Sequence, residues 1–113
     1  MWHDIRAYLC DILEACEMIE TFVAGRDFLE YECDALLRSA VERQIGIIGD
    51  ALYHAIRREP ELAQHISDTY HINEFRNRLV HGFASASNAL VWGVLETRLP
   101  RLRREVENLL RVH

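Results

Sequence analysis

The chain has 113 residues, half of them hydrophobic and a little over a quarter charged, a balance expected of one globular domain spanning residues 1–113. Its net charge of −5 argues against a general nucleic-acid coat protein, which is usually basic, but leaves room for a small local site. No apolar run approaches membrane length, and the opening Met1-Trp2-His3-Asp4 lacks the basic-then-apolar pattern of a signal peptide, so a cytoplasmic protein without membrane contact is expected.

All thirteen basic residues are arginine. Arginine is the better residue for bidentate phosphate contacts, although a compositional bias is the plainer explanation. Cys10, Cys16 and Cys33 are odd in number and contain no Cys-x2-Cys pair, so neither a zinc site nor a disulfide framework is indicated. Cys10 and Cys16 fall on an apolar helical pattern, where free cysteine packs as a small hydrophobe.

Residues 3–24 predict the first helix, with Ile5, Leu9, Ile12, Cys16, Ile19 and Val23 recurring at spacings of three and four. Gly25 is a suitable stop. Residues 26–33 predict a connector with one short helical turn at Phe28–Tyr31. Asp34 is placed to cap a long helix over 35–58, whose apolar positions are Leu37, Val41, Ile45, Ile48, Leu52 and Ile56. Within it, Arg38 and Glu42 form an i,i+4 pair. Gly46 and Gly49 each cost about 1 kcal/mol against alanine, which predicts the close approach of another helix as compensation.

Pro60 opens a short helix over 60–66. Ser67 and Asp68 make a cap-like pair before a helix over 69–82 that Gly82 ends. Ala84 to Asn88 predict a loop, with an N-cap at Ser87 or Asn88. A last helix covers about 88–112, and Pro100 should kink it or split it in two. Arg101, Arg103, Arg104 and Arg111 are expected on a solvated face. The architecture this pattern predicts is all-α: an antiparallel four-helix up-down bundle with an extra short helix.

The helix over 69–82 carries the unusual residues. At about 100° per residue, Ile72, Phe75, Leu79 and Phe83 gather on one side, with Val80 at its margin. Asn73, Glu74, Asn77, Arg78 and His81 gather on the other. Arg76 falls inside the apolar sector. A guanidinium cannot deprotonate and is costly to bury unpaired, so Arg76 either snorkels outward or meets an acceptor at an interface. His3, His54, His65, His71 and His113 show no convincing metal-ligand spacing, and no cofactor is expected.

Arg76 and His81, in the string Arg76-Asn77-Arg78-Leu79-Val80-His81-Gly82-Phe83, resemble the Arg-x4-6-His motif of HEPN-domain ribonucleases. The opening YLCDILEACEMIETFVAG, the middle AVERQIGIIGDAL and the closing VWGVLETRLPRLRREVENLL are similar to the minimal HepT-like branch. The resemblance implies a HEPN-like helical fold and a ribonuclease toxin encoded beside a minimal nucleotidyltransferase antitoxin. It further implies an RNA substrate, such as tRNA or mRNA, and a homodimer with both motifs lining one cleft. Two departures stand out. HepT-like relatives often carry a glutamate where this chain has Gly46. Their motif commonly continues His-x-Tyr, and that tyrosine can receive AMP from the partner. Here the position is Phe83, which has no hydroxyl to modify, and Tyr70 is the nearest tyrosine in sequence.

The chemistry of such a site follows from its residue types. Cleavage by the substrate's own 2′-OH needs proton transfer and stabilisation of charge at phosphorus. Histidine has the pKa range for the first, and arginine supplies fixed donors for the second. His81 is therefore the candidate acid or base and Arg76 the phosphate ligand, with Asn77 and Arg78 as further RNA or phosphate contacts. Five residues apart on one helix, Arg76 and His81 stand about 140° apart, an awkward presentation for one copy and a natural one for a site composed from two. The alternative is a non-catalytic HEPN module that binds a nucleotide or presents a substrate to the nucleotidyltransferase.

Overall fold

The computed structural model describes residues 2–67, 74, 77 and 87–113, with His3 in backbone only. One 3-10 turn, Trp2–Ile5, leads into α1, Arg6–Val23. Its buried face is the one the sequence period marks: Leu9, Ile12, Ala15, Cys16 and Ile19, continued upstream by Ile5. Cys10 departs from the expectation and is exposed. It stands about 120° around the helix from Cys16, beyond the edge of the stripe. Val23 and Phe22 are only partly covered at the helix end. The chain then turns through Ala24 (φ −56°, ψ 126°) and Gly25 (φ 72°), closed by the Arg26 N–H donating to Val23 O at 2.9 Å. These are type II turn angles, and the left-handed second position is one that glycine occupies without strain.

The expected short helical turn is a six-residue helix, α2, Phe28–Cys33. A reciprocal capping box starts it. The Glu30 N–H donates to Asp27 Oδ1 at 2.9 Å, and the Asp27 N–H donates to Glu30 Oε1 at 3.1 Å. Asp34 then caps α3, Ala35–Arg58, by accepting from the Leu37 N–H at 3.0 Å. That bond, with Arg26 Nη1 at 3.3 Å from Asp34 Oδ2, holds the Asp34 carboxyl below the usual carboxylate range.

Leu37, Val41, Ile45, Ile48, Ala51, Leu52 and Ala55 make the buried stripe of α3, and Ile56 lies at its margin. α1 lies along α3 on one side and against the last helix on the other. The Arg38 guanidinium bonds the Glu32 carbonyl. Its charge lowers the pKa of Glu42, but burial outweighs it and leaves that carboxyl raised. Gly46 departs from the expectation of close helix approach. A Cβ built there meets nothing within 4 Å among the described residues.

Pro60 opens a single 3-10 stretch, Pro60–Gln64, rather than a longer α-helix. Leu62 and, just after it, Ile66 enter the core. On the far side of the motif, Ser87 is the cap of α4, Asn88–Thr97, accepting from the Leu90 N–H at 3.1 Å. The last helix is split, one of the two outcomes expected of Pro100. α4 ends at Thr97, and α5, Leu99–Val112, begins with Pro100 in its first turn. There its missing N–H breaks no helical bond. Trp92 of α4 packs against α2, with its ring centroid 5.3 Å from Tyr31 and 6.4 Å from Phe28. Leu99, Leu102, Val106 and Leu109 bury the inner face of α5. The result is an all-α, HEPN-like bundle whose core runs between α1, α3 and α5.

Arg103 corrects the expectation of a wholly solvated arginine face. It is partly buried between α5 and α1, with Glu20 at 3.1 Å, Glu17 at 3.4 Å and Glu107 at 3.6 Å. The i−3/i−4 pattern of one helix does not reveal this, because two of the three carboxylates belong to α1. No helix among the described residues is long and apolar enough to cross a membrane.

Candidate functional site

Of the motif, the structure describes Asn77 and its neighbour Glu74, both with helical backbone. Asn77 is exposed and Glu74 half-exposed. They are three residues apart, so they share a face, the polar side of the helical wheel. Arg76, Arg78, His81 and Phe83 lie outside the described residues, as do His71, Tyr70, Asp68 and Gly82.

What the structure does show is how the chain is held on either side of that stretch. Three consecutive residues upstream are gripped by three different parts of the bundle. The ring of His65 meets Trp2 edge-on, with centroids 5.4 Å apart, and the other partner of Trp2 is His113, stacked at 4.3 Å and 11°. Ile66 is 3% exposed, in the core. Ser67 donates its backbone N–H to both carboxylate oxygens of Glu105 at 3.2 Å, and its hydroxyl to Glu105 Oε2 at 2.5 Å. The sequence marks Ser67 as half of a cap-like pair. Its bond to a residue 38 positions away has no local signal. Downstream, the Ser87 cap and buried Val91 hold the chain as α4 begins.

Elsewhere, the chemistry-bearing groups are occupied structurally. Cys16 is buried, and desolvation, with Glu20 beside it, pushes its thiol up to about 12, so it carries no thiolate near neutrality. Tyr31 is fully buried, its hydroxyl has no hydrogen-bond partner among the described residues, and burial followed by the Glu42 charge raises its pKa. A shallow cleft of about 390 Å³ lies among Thr21, Phe22, Arg26, Leu36, Leu37 and Ala40. Its charged groups, Arg26 and Asp34, are paired with each other. A second surface cluster gathers the end of α3 against α1. Tyr8 stacks on His54 at 5.7 Å, Arg58 lies over Tyr8 at 5.6 Å, and Arg57 donates to the Tyr53 hydroxyl at 2.8 Å.

Comparison with known proteins bears on the same stretch. The description "Ribonuclease HepT-like" matches residues 12–109, which include the whole of Arg76–His81. The chain is 28% identical over 104 residues to the Methanocaldococcus jannaschii protein named "Putative RNase MJ1380", covering 92% of this chain and 94% of that one. It is 29% identical over 106 residues to "Probable ribonuclease HepT" of Thermococcus cleftensis, covering 90% and 92%. A third relative, "Gamma-glutamylcyclotransferase and putative RNase MJ0434" of M. jannaschii, is 28% identical over 110 residues, and the chain spans 49% of its length. No solved structure matches the chain.

Proposed function

The chain belongs to the HepT-like ribonuclease family, and from that premise we propose that it is a metal-independent endoribonuclease acting at Arg76 and His81. The observation that carries the reading is the family match, which spans the motif and most of the bundle around it. The helical backbone of Glu74 and Asn77, with Asn77 exposed, supports the polar face on which Asn77, Arg78 and His81 fall.

In the proposed reaction the substrate's 2′-oxygen attacks the adjacent phosphorus while its proton passes to a base. The P–O5′ bond breaks, and the leaving oxygen takes a proton from an acid. The products are a 2′,3′-cyclic phosphate and a 5′-hydroxyl. His81 serves as the acid or base, with a side chain that titrates near neutrality. Arg76 binds the phosphate and stabilises the negative charge that grows on its oxygens. Asn77 orients His81 or the phosphate, and Arg78 is a secondary contact.

The 140° between Arg76 and His81 on one helix favours a site assembled by two copies of the chain about a two-fold axis. An interface would also give Arg76 an acceptor on the apolar side of its helix. The partner we propose is a minimal nucleotidyltransferase that acts as antitoxin in the cytoplasm. Because Phe83 offers no hydroxyl, that partner silences the nuclease by binding or by AMP transfer at another residue.

The test is incubation of wild type and His81→Ala with defined tRNAs, reading the ends of the fragments. Cyclic phosphate ends with wild type, and none with His81→Ala, are expected. RNA left intact by pure wild-type dimer would overturn the reading. It would favour instead a non-catalytic HEPN module that binds a nucleotide or presents a substrate to the nucleotidyltransferase.

A further inference from the structure

We propose that Glu105 is a positioning residue: from α5 it fixes Ser67, and so sets the direction of the main chain at the point from which the sequence runs on to Arg76, nine residues later. The proposal rests on the reading of Arg76 and His81 as the cleaving pair.

The geometry is specific. One carboxylate takes two donors from one residue, the backbone N–H at 3.2 Å from each oxygen and the hydroxyl at 2.5 Å from Oε2. The N–H fixes the main chain and the hydroxyl fixes the side-chain rotamer, so together they define a direction as well as a position. Charge-assisted bonds of this kind are the stronger ones. Glu105 precedes Val106 of the buried α5 stripe and is itself half-buried, so its own placement is set by the core. Ile66, one residue before Ser67, is buried, and His65 before that meets Trp2. Among the described residues the chain is therefore held at 65, 66 and 67 in succession, and Glu105 holds the third.

A role in global stability explains this less well. Ser67 is exposed, and hydrogen bonds there compete with water, which reduces what even a charge-assisted pair adds to the stability of the bundle. A contact at the boundary of a functional stretch has a different value. A displacement of about 1 Å at a reacting group, arising from a distant change, can cost about a hundredfold in rate.

The experiment compares Glu105→Ala, Glu105→Gln and Ser67→Ala with wild type in the full chain. Amide hydrogen exchange is read across residues 68–80 and, as reference, across the buried parts of α1 and α3. Expected is roughly tenfold faster exchange in 68–80 for Glu105→Ala, with the reference amides unchanged. Ser67→Ala, which keeps the N–H bonds, and Glu105→Gln, which keeps one acceptor oxygen, should fall between. On a cleavable RNA, Glu105→Ala should lower kcat about tenfold with KM within about twofold. The Glu105→Ala/Ser67→Ala pair should be non-additive.

Unchanged exchange in 68–80 would overturn the proposal, as would a rise shared equally by α1 and α3, or a loss carried wholly by KM. The exchange measurement needs no substrate. If wild type cuts no RNA, the nuclease reading fails while that measurement still decides whether Glu105 orders the stretch. If wild type cuts and His81→Ala does not, a Glu105→Ala protein with wild-type kcat sinks the positioning role alone.

Discussion

The body of the bundle and the approach to the motif are held in different ways. In the body, α1, α3 and α5 press continuous apolar stripes together, and each buried side chain shares its burial with many others. On the approach, His65 meets Trp2, Ile66 lies in the core and Ser67 bonds Glu105. The difference separates two properties. Stability resides in the stripes, where losses are large and spread through the fold. Under the proposed function, the contact of Ser67 with Glu105 bears on catalytic geometry more than on stability. Variants in the two regions should therefore fail in different ways, and each of the following is a chance for them not to.

The largest effect expected is on activity. His81→Ala should lower cleavage by about a hundredfold to ten-thousandfold, the range for loss of a general acid or base, with little change in melting temperature. Arg76→Ala should do the same if Arg76 meets substrate. If either substitution instead unfolded the chain, the separation would be wrong and the motif would be part of the core. Kinetics on a defined RNA, paired with thermal denaturation of the same samples, checks both.

Leu52→Ala gives the converse. Leu52 is fully buried in α3, and truncating such a leucine costs about 2–5 kcal/mol through lost transfer energy and the cavity left behind. In a chain of this size that is a large part of the total stability. The protein that remains folded at low temperature should still cleave. Urea denaturation measures the first effect and residual kcat at low temperature the second.

Much of the body was legible in the sequence because its signals are local. The three- and four-residue period of Leu9, Ile12, Cys16 and Ile19 predicts the buried face of α1 directly. Asp34 as a cap, Ser87 or Asn88 as a cap and Pro100 as a kink or a split are each consequences of backbone chemistry within four residues, and the structure selects Ser87 and the split. What the sequence did not show is what joins distant positions. Arg103 reads as a solvated residue until α1 brings Glu17 and Glu20 beside it. Ser67 reads as a helix cap, while its observed bonds reach a residue 38 positions away. The candidate site was legible only as a motif on a helical wheel. The two-copy site we propose would leave no signature in one chain beyond a misplaced residue, and Arg76, in the apolar sector of the wheel, is the one we read that way.

Gly46 tests a smaller point within the body, in the middle of α3. The sequence predicts a glycine needed for close packing, but among the described residues nothing lies within 4 Å of a Cβ built there. Gly46→Ala should therefore stabilise the protein by up to about 1 kcal/mol, the helix-propensity difference, and Gly93→Ala, also open to a Cβ, should do likewise. A destabilised Gly46→Ala protein that is also a weaker dimer would show that the space belongs to an interface. Denaturation midpoints at two protein concentrations distinguish these outcomes.

The smallest effect is a difference of sign within α3. Asp34 and Glu42 are two turns apart, yet their environments push them in opposite directions. The bond from the Leu37 N–H and the Arg26 guanidinium lower the Asp34 pKa, whereas burial raises that of Glu42. Asp34 therefore contributes stability that is present above its unfolded value near 3.9, and that is lost as pH falls through its lower folded pKa. Glu42 does the reverse. Its folded pKa lies above the unfolded value near 4.3, so the folded state is penalised once pH rises past the folded value and is relieved of the penalty as pH falls through it. Glu42→Gln should raise stability at neutral pH and remove the part of the pH dependence that lies just above 4.3. Asp34→Asn keeps a side-chain cap and should flatten the acid limb below about pH 4 instead. Urea denaturation from pH 3 to 7 on the three proteins reads both slopes. Parallel curves for Glu42→Gln and wild type would mean that the Glu42 carboxylate is as well solvated in the folded chain as in the unfolded one, and that burial on α3 does not reach it.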